Sequence, residues 1–415
     1  MTRNPVISSM RLALTTTALG LAAVVAACGG GGGGGSPAAA IPAAVAPSAA
    51  TSYAQGVVSG FGSVIVGGVR YDDSKAGVVD ADDNPLPLTK LGLGSMVTVD
   101  AGPVDRSSST AAATRFHLSD EVLGQVASVD TTAQTLVVLG QTVTVNASTV
   151  FASSITSGLT QALVGTVVEV HGTAGAAGQI TATRIEAAAA ASSYHLRGTV
   201  AALDTTAKTF SIGAASISYA SLAAADVPGT LANGLIVRVK LNTVQSGSNW
   251  VATALRGDKR VPAGSGAGST DTHIEGAITV FTSSAAFEIG GVKVDASAAT
   301  FPDGSAGIVP GARVEVTGTT NASGTLVAAK VELDDKPSAG GKRPLELHGA
   351  LTALDTSAKT FLLRTVTVSY SGTVAYTNGT AADLATYQAS GKNVDVYGVL
   401  SSDRKQLEAS RIDFK

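Results

Sequence analysis

The chain has 415 residues with 14% charged and 4% aromatic side chains, 48 glycines and a formal net charge of −3. So few rings on a slightly acidic chain argue against a nucleic-acid binder, which joins a positive groove to stacking aromatics. The single cysteine, Cys28, excludes an internal disulfide.

Arg3 and Arg11 precede an uncharged stretch, Leu12 to Ala27, that ends in Val25-Ala26-Ala27-Cys28-Gly29. Positive start, short apolar run and small residues are the layout of a secretory signal, and the run is too short for a lasting membrane span. The Leu21 to Cys28 stretch resembles a bacterial lipoprotein signal. The resemblance implies that residues 1–27 are removed and that Cys28 carries the lipid and becomes the new N-terminus. Several acyl chains hold a protein to a bilayer stably where one does so marginally. Gly29 in place of aspartate implies outer-membrane anchoring, facing the periplasm or the cell surface. Without the leader the chain has 26 basic and 31 acidic residues.

Residues 28–52 hold the lipidated cysteine, seven glycines and an Ala/Pro-rich run. That composition cannot bury enough apolar surface to fold, so it reads as a tether of about 27 Å root-mean-square span.

A repeat follows. A glycine early in a short strand recurs at Gly56, Gly124, Gly198, Gly276 and Gly349. Each is followed by Gly-x-x-Val-x-Val, beginning at Gly94, Gly165, Gly234, Gly311 and Gly391. Between them lie hairpin-like runs, clearest around Gly67-Gly68 and Gly290-Gly291, where glycine permits the positive φ of a tight turn. Three copies carry a turn phrase, at Asp130-Thr131-Thr132-Ala133, Asp204-Thr205-Thr206-Ala207 and Asp355-Thr356-Ser357-Ala358, whose acids are expected to bond nearby backbone. Before the last Gly-x-x-Val-x-Val, Thr380 to Gly391 begins with a capping threonine and stops at glycine, so a short helix is expected. Ser221 to Asp226 is a second, weaker candidate.

The order strand, hairpin, loop or helix, strand, strand predicts an all-β chain of five tandem small five-stranded barrels of the oligonucleotide/oligosaccharide-binding (OB) type. The expected modules are 53–120, 121–191, 192–260, 271–335 and 343–415. Joints are expected at Glu186 to Ser192, Val261 to Thr270 and Asp335 to Lys342. Units of this size have small cores, so contacts between neighbours should matter.

Gly56-Val57-Val58-Ser59-Gly60-Phe61-Gly62-Ser63-Val64-Ile65-Val66-Gly67-Gly68-Val69-Arg70-Tyr71-Asp72, closing on Gly94-Ser95-Met96-Val97-Thr98-Val99, resembles the bacterial domain of unknown function numbered 5666. That domain occurs in tandem in exported lipoproteins. The resemblance extends from the first copy to the others, weakest in the fifth, and implies a fold and a location without catalytic residues.

Few constellations suggest chemistry. Asp80-Ala81-Asp82-Asp83-Asn84 opens like a calcium loop, but Pro85 replaces the turn glycine and Leu91 the closing glutamate, so a solvated hairpin tip is expected. His195, His273 and His348 precede their repeat glycines and fall on one strand face by parity. No module clusters the histidines a transition metal favours, so these are expected as surface or half-buried strand residues and no metal or cofactor is expected. Gly-x-Ser-x-Gly, His-Glu-x-x-His and phosphate-loop motifs are absent. Trp250, Tyr376, Tyr387 and Tyr397 are the candidate binding aromatics. The expectation is a non-enzymatic anchored spacer or interaction scaffold of the cell envelope, partnered with the membrane through Cys28. The alternative is a lipoprotein recognising envelope glycan or protein through barrel grooves or sheet edges. A hydrolase would need a cleft with converging acids or histidines.

Overall fold

The computed structural model describes residues 52–175, 178–188, 191–258, 270–333 and 344–415. The leader, Cys28 and the tether lie outside the described residues, as do 261–269 and 335–342 of the expected joints.

In the first module Ser52–Phe61 pairs antiparallel with Val64–Val66 and with Met96–Ala101. Val64–Val66 passes to Val69–Asp72, which runs parallel to Thr110–Ser119, and Thr110–Ser119 returns to Met96–Ala101. Five strands thus close in the order 1-2-3-5-4, with one parallel pair, as in an OB barrel. Among the described residues the same circuit closes again within 122–187, 194–257, 270–333 and 345–414.

The repeated residues have repeated jobs. The glycine that opens Gly-x-x-Val-x-Val has positive φ in every copy, from 64° at Gly391 to 89° at Gly234, a turn that β-carbons resist. Both valines are buried in every copy, from Val97 and Val99 to Val394 and Val396, because alternate strand residues point into the barrel. The earlier repeat glycine lies beneath the hairpin: a β-carbon at Gly124 would come within 2.5 Å of Leu139, and one at Gly276 within 2.6 Å of Ile289.

Turns follow the sequence closely. Gly67-Gly68 and Gly290-Gly291 supply positive φ in two-residue hairpins. The Asp130, Asp204 and Asp355 carboxylates each accept the N–H groups two and three residues on, at 2.8–2.9 Å. The helix Leu384–Ser390 follows a Thr380–Asp383 capping box and ends at Gly391. At the Ser221 to Asp226 position only the 3₁₀ turn Ala224–Asp226 forms.

The barrels are fused into one compact unit. Ser52–Phe61 is much longer than the hairpin strands it meets, so its ends leave backbone groups to be satisfied elsewhere. Ser52 to Gln55 pair in parallel with Asp271 to Ile274 of the fourth module, and Gly60 and Phe61 with Glu346 and Leu347 of the fifth. Val122–Asp130 pairs antiparallel with Tyr194–Thr199, joining the second and third barrels. One apolar core runs through the first and fifth modules and another through the second and third, while Tyr53 enters the core of the fourth.

Candidate functional site: the charged seam between modules

Because the two valines of Gly-x-x-Val-x-Val face inward, the residue between them faces outward. It is Thr98, Glu169, Arg238, Glu315 and Asp395 in turn. Directly across the strand pair stands the residue before each early glycine, giving Gln55–Thr98, Leu123–Glu169, Arg197–Arg238, Glu275–Glu315 and His348–Asp395. Each module therefore offers a polar cross-strand position on its outer wall, and the packing turns these walls toward neighbouring modules.

The seam is densest where the second and third barrels merge. Arg197, Arg238 and Arg256 stand opposite one another on three adjacent strands, an arrangement that needs counter-charges. Arg197 meets Glu121 at 3.2 Å and Asp258 at 2.6 Å, and donates to the Gly290 carbonyl of the fourth module at 3.0 Å. Arg238 pairs with Asp120, and Lys240 and Arg256 both pair with Asp82 of the first module. Burial works against the charge on Arg197, but Glu121 and Asp258 outweigh it and raise its pKa. Burial likewise opposes ionisation of Asp120, yet Arg238, His195 and His171 hold its pKa down at about 2.

The Asp80–Asn84 segment is a hairpin tip with Asp83 and Asn84 exposed, as expected, but Asp82 leaves solvent. Asp80 accepts the N–H groups of Asp82 and Asn84 at 2.8 and 2.9 Å, closing the turn, and Asp82 is delivered to the basic wall of the third module. A carboxylate that completes a joint in three dimensions looks like a loop residue in one.

Glu275 carries the joint between the first and fourth modules. Its carboxylate meets Arg313 at 3.0 Å and accepts the Val57 N–H at 3.4 Å, while Arg313 also donates to Thr173 of the second module at 2.8 Å. The space beside Gln55, Glu121, Arg197 and Glu275 is only about 10 Å³, room for one water at most.

Of the three histidines singled out by sequence, His195 and His348 are half-buried as expected. His273 is not: it is buried against Gly67, because pairing of the first and fourth modules covers its strand face. Burial lowers the pKa of both His273 and His195. The three sit in three different modules. His348 pairs with Asp395 through Nδ1 and contacts the Asn393 amide through Nε2 at 3.2 Å. It borders a 430 Å³ cleft between the first and fifth modules, with Gly62, Thr352, Arg364 and Asn393.

The four candidate aromatics do not form one platform. Trp250 packs edge-on against Tyr194, with centroids 5.7 Å apart, beside the core of the second and third modules. Tyr376 and Tyr387 flank Phe414 at 6.4 and 4.7 Å, and Tyr397 lies under Arg411 at 3.8 Å.

A further group was missed in the sequence. Glu169, His171 and Glu186 bring ligand atoms within 4.8 Å of one another, the only such group of three among the described residues. Its signal was the Glu169-Val170-His171 spacing inside the valine motif, invisible to a search for paired histidines. Burial raises the Glu169 pKa.

Residues 124–186, 275–332 and 348–413 match the family described as a domain of unknown function (DUF5666). The chain carries this domain in tandem. The three matched DUF5666 segments are the second, fourth and fifth modules, whereas the residues that carried the resemblance most fully are in the first; its strand circuit is the same. No curated protein matches the chain. Among solved structures, Drosophila Unr CSD456 is 15% identical over 43% of this chain and 87% of its own, with a TM-score of 0.14, too low to bear on fold or function.

Proposed function

We propose that this DUF5666 protein is a non-enzymatic lipoprotein of the bacterial outer membrane, anchored through Cys28, whose barrels act together as one spacer and interaction scaffold. The observation that supports it is the use of the outward-facing strand pairs: Arg238, Arg197 and Glu275 go to contacts between modules, while Glu169, Glu315 and Asp395 meet ion-pair partners within their own. His348, beside the 430 Å³ cleft, has both ring nitrogens engaged, by Asp395 and Asn393. A general base needs one nitrogen within reach of a substrate proton.

Fractionation of cells carrying the wild type and Cys28→Ser tests the anchor. The expected result is transfer of the variant from the membrane to the soluble fraction; unchanged partition overturns anchoring. Crosslinking in the membrane fraction should recover a discrete envelope partner, whereas a turnover activity lost in His348→Ala would overturn the non-enzymatic reading.

The cleft beside His348 favours a second reading, recognition of an envelope glycan or protein segment. Saturable glycan binding lost in Thr352→Ala would support it.

A further inference from the structure

We propose that Glu169, His171 and Glu186 form a binding site for a single divalent transition-metal ion of the zinc class. Glu169 and His171 project from the same face of Val167–Ala174, and Glu186 stands directly opposite Glu169 on Gln179–Ala187. Two carboxylates in direct cross-strand opposition repel unless a cation lies between them. Arg184 supplies part of that charge, but it engages a single oxygen of Glu186, Oε2, at 2.9 and 3.2 Å, and its Nη1 is turned to the Leu93 carbonyl. No hydrogen bond from Arg184 reaches the other Glu186 oxygen, and Glu169 meets His171 at 3.4 Å, with the charge of Lys90 also acting on it.

The imidazole is set as a ligand would be. His171 is 1% exposed, and its Nδ1 donates to the Ser119 carbonyl at 2.7 Å. That bond fixes the tautomer and leaves the Nε2 lone pair facing Glu169 Oε1 at 3.4 Å. When Nε2 carries no proton, two lone pairs face each other, the arrangement a metal resolves. A second observation is added negative charge from Asp120, next to Ser119 and 8% exposed: it acts on both Glu169 and His171, while its own Oδ2, which has no hydrogen bond, lies 3.9 Å from His195 Nδ1. One nitrogen and two carboxylate oxygens with a position left for water suit zinc, and cobalt as its spectroscopic substitute.

The test is titration of chelator-treated full-length protein with Co²⁺, read by visible absorption and by equilibrium dialysis. The expected result is one equivalent bound per chain, with affinity at least about tenfold weaker, or about 1.4 kcal/mol, in Glu169→Gln and in His171→Gln. Unfolding temperatures confirm that the variants fold; should His171→Gln fail to, Glu169→Gln at the half-exposed rim decides alone. Uptake unchanged in Glu169→Gln places the ion elsewhere and overturns the proposal. So does no saturation up to about 1 mM, which leaves an imidazolium–carboxylate pair only.

Discussion

Arg197, on the strand Tyr194–Thr199, and Glu121, in the bend just before the strand Val122–Asp130 that pairs with it, form an ion pair at 3.2 Å with side chains 2% and 1% exposed. Arg197 also holds Asp258, so its loss takes a partner from two buried carboxylates, whereas loss of Glu121 leaves the arginine Asp258 and the Gly290 carbonyl. Breaking a buried pair from one side costs about 3–5 kcal/mol. Arg197→Met should therefore lie at or above the top of that range and Glu121→Gln toward the bottom. Urea midpoints of the two variants check the order, and equal or reversed losses would show that the seam does not hold the third module to the second.

A pH dependence follows from buried His273 and half-buried His195. Burial sets the folded pKa of His273 and His195 below 6.5, so the unfolded chain takes up protons first as the pH falls. Stability is then lost from about pH 6.5 downward until the folded values are reached, and it rises with pH across that window. Asp120 acts in a separate range: with a folded pKa of about 2 against 3.8, its contribution is present above 3.8 and lost as pH falls toward 2. His273→Gln should flatten the decline just below pH 6.5 and leave the lower one in place. Melting temperatures measured across both windows give the answer; an unchanged upper slope would mean that His273 stays neutral in the unfolded chain or is solvated in the folded one.

The barrel was legible in the sequence because its signals are local. The glycine of each Gly-x-x-Val-x-Val needs positive φ, the valines need a core, and Asp130, Asp204 and Asp355 close turns within three residues. Packing between barrels was not legible, because Asp82, Glu121 and Arg197 find partners in other modules, and nothing near Asp82 in sequence points to Lys240. Even so, part of the seam was written in the repeat: the residue between the two valines is charged at Glu169, Arg238, Glu315 and Asp395, and one of these, Arg238, enters the seam through Asp120. Period-2 alternation assigns it to the outer wall, and a charged outer wall on every module can mean solvent or a neighbour. The small cores of units this size were the clue that favoured a neighbour.

The joint between the first and fifth modules depends on close approach at Gly60. Its backbone is not in the left-handed region, yet a β-carbon there would overlap the Glu346 carbonyl and lie 2.8 Å from Ile65. Gly60→Ala should cost about 1–3 kcal/mol through overpacking. Gly68 is the control, since its φ is 73° but no atom lies within 4 Å of a β-carbon, so only backbone strain of about 1 kcal/mol applies. Amide exchange should separate them: Gly60→Ala exposes Leu345–Asp355 on the partner barrel, and Gly68→Ala leaves that strand protected. Equal protection in both would show that the parallel pairing of Gly60 and Phe61 with Glu346 and Leu347 contributes little.

Tyr387 distinguishes packing from recognition among the aromatics. Its ring meets Phe414 edge-on at 4.7 Å, its hydroxyl donates to the Lys415 carbonyl at 3.0 Å, and its helix closes over the strand Leu345–Asp355. Tyr387→Phe removes one hydrogen bond and should cost about 0.5–1.5 kcal/mol. Tyr387→Ala also removes the edge contact and half-buried area, so about 2–4 kcal/mol is expected, somewhat below the cost at a fully buried ring. Thermal unfolding reads both variants, and a glycan panel run beside it reads recognition. Loss of stability in the expected order with glycan binding unaltered would assign Tyr387 to the core rim of the fifth barrel. A stable Tyr387→Ala protein that had lost a glycan would instead make the ring part of a binding surface.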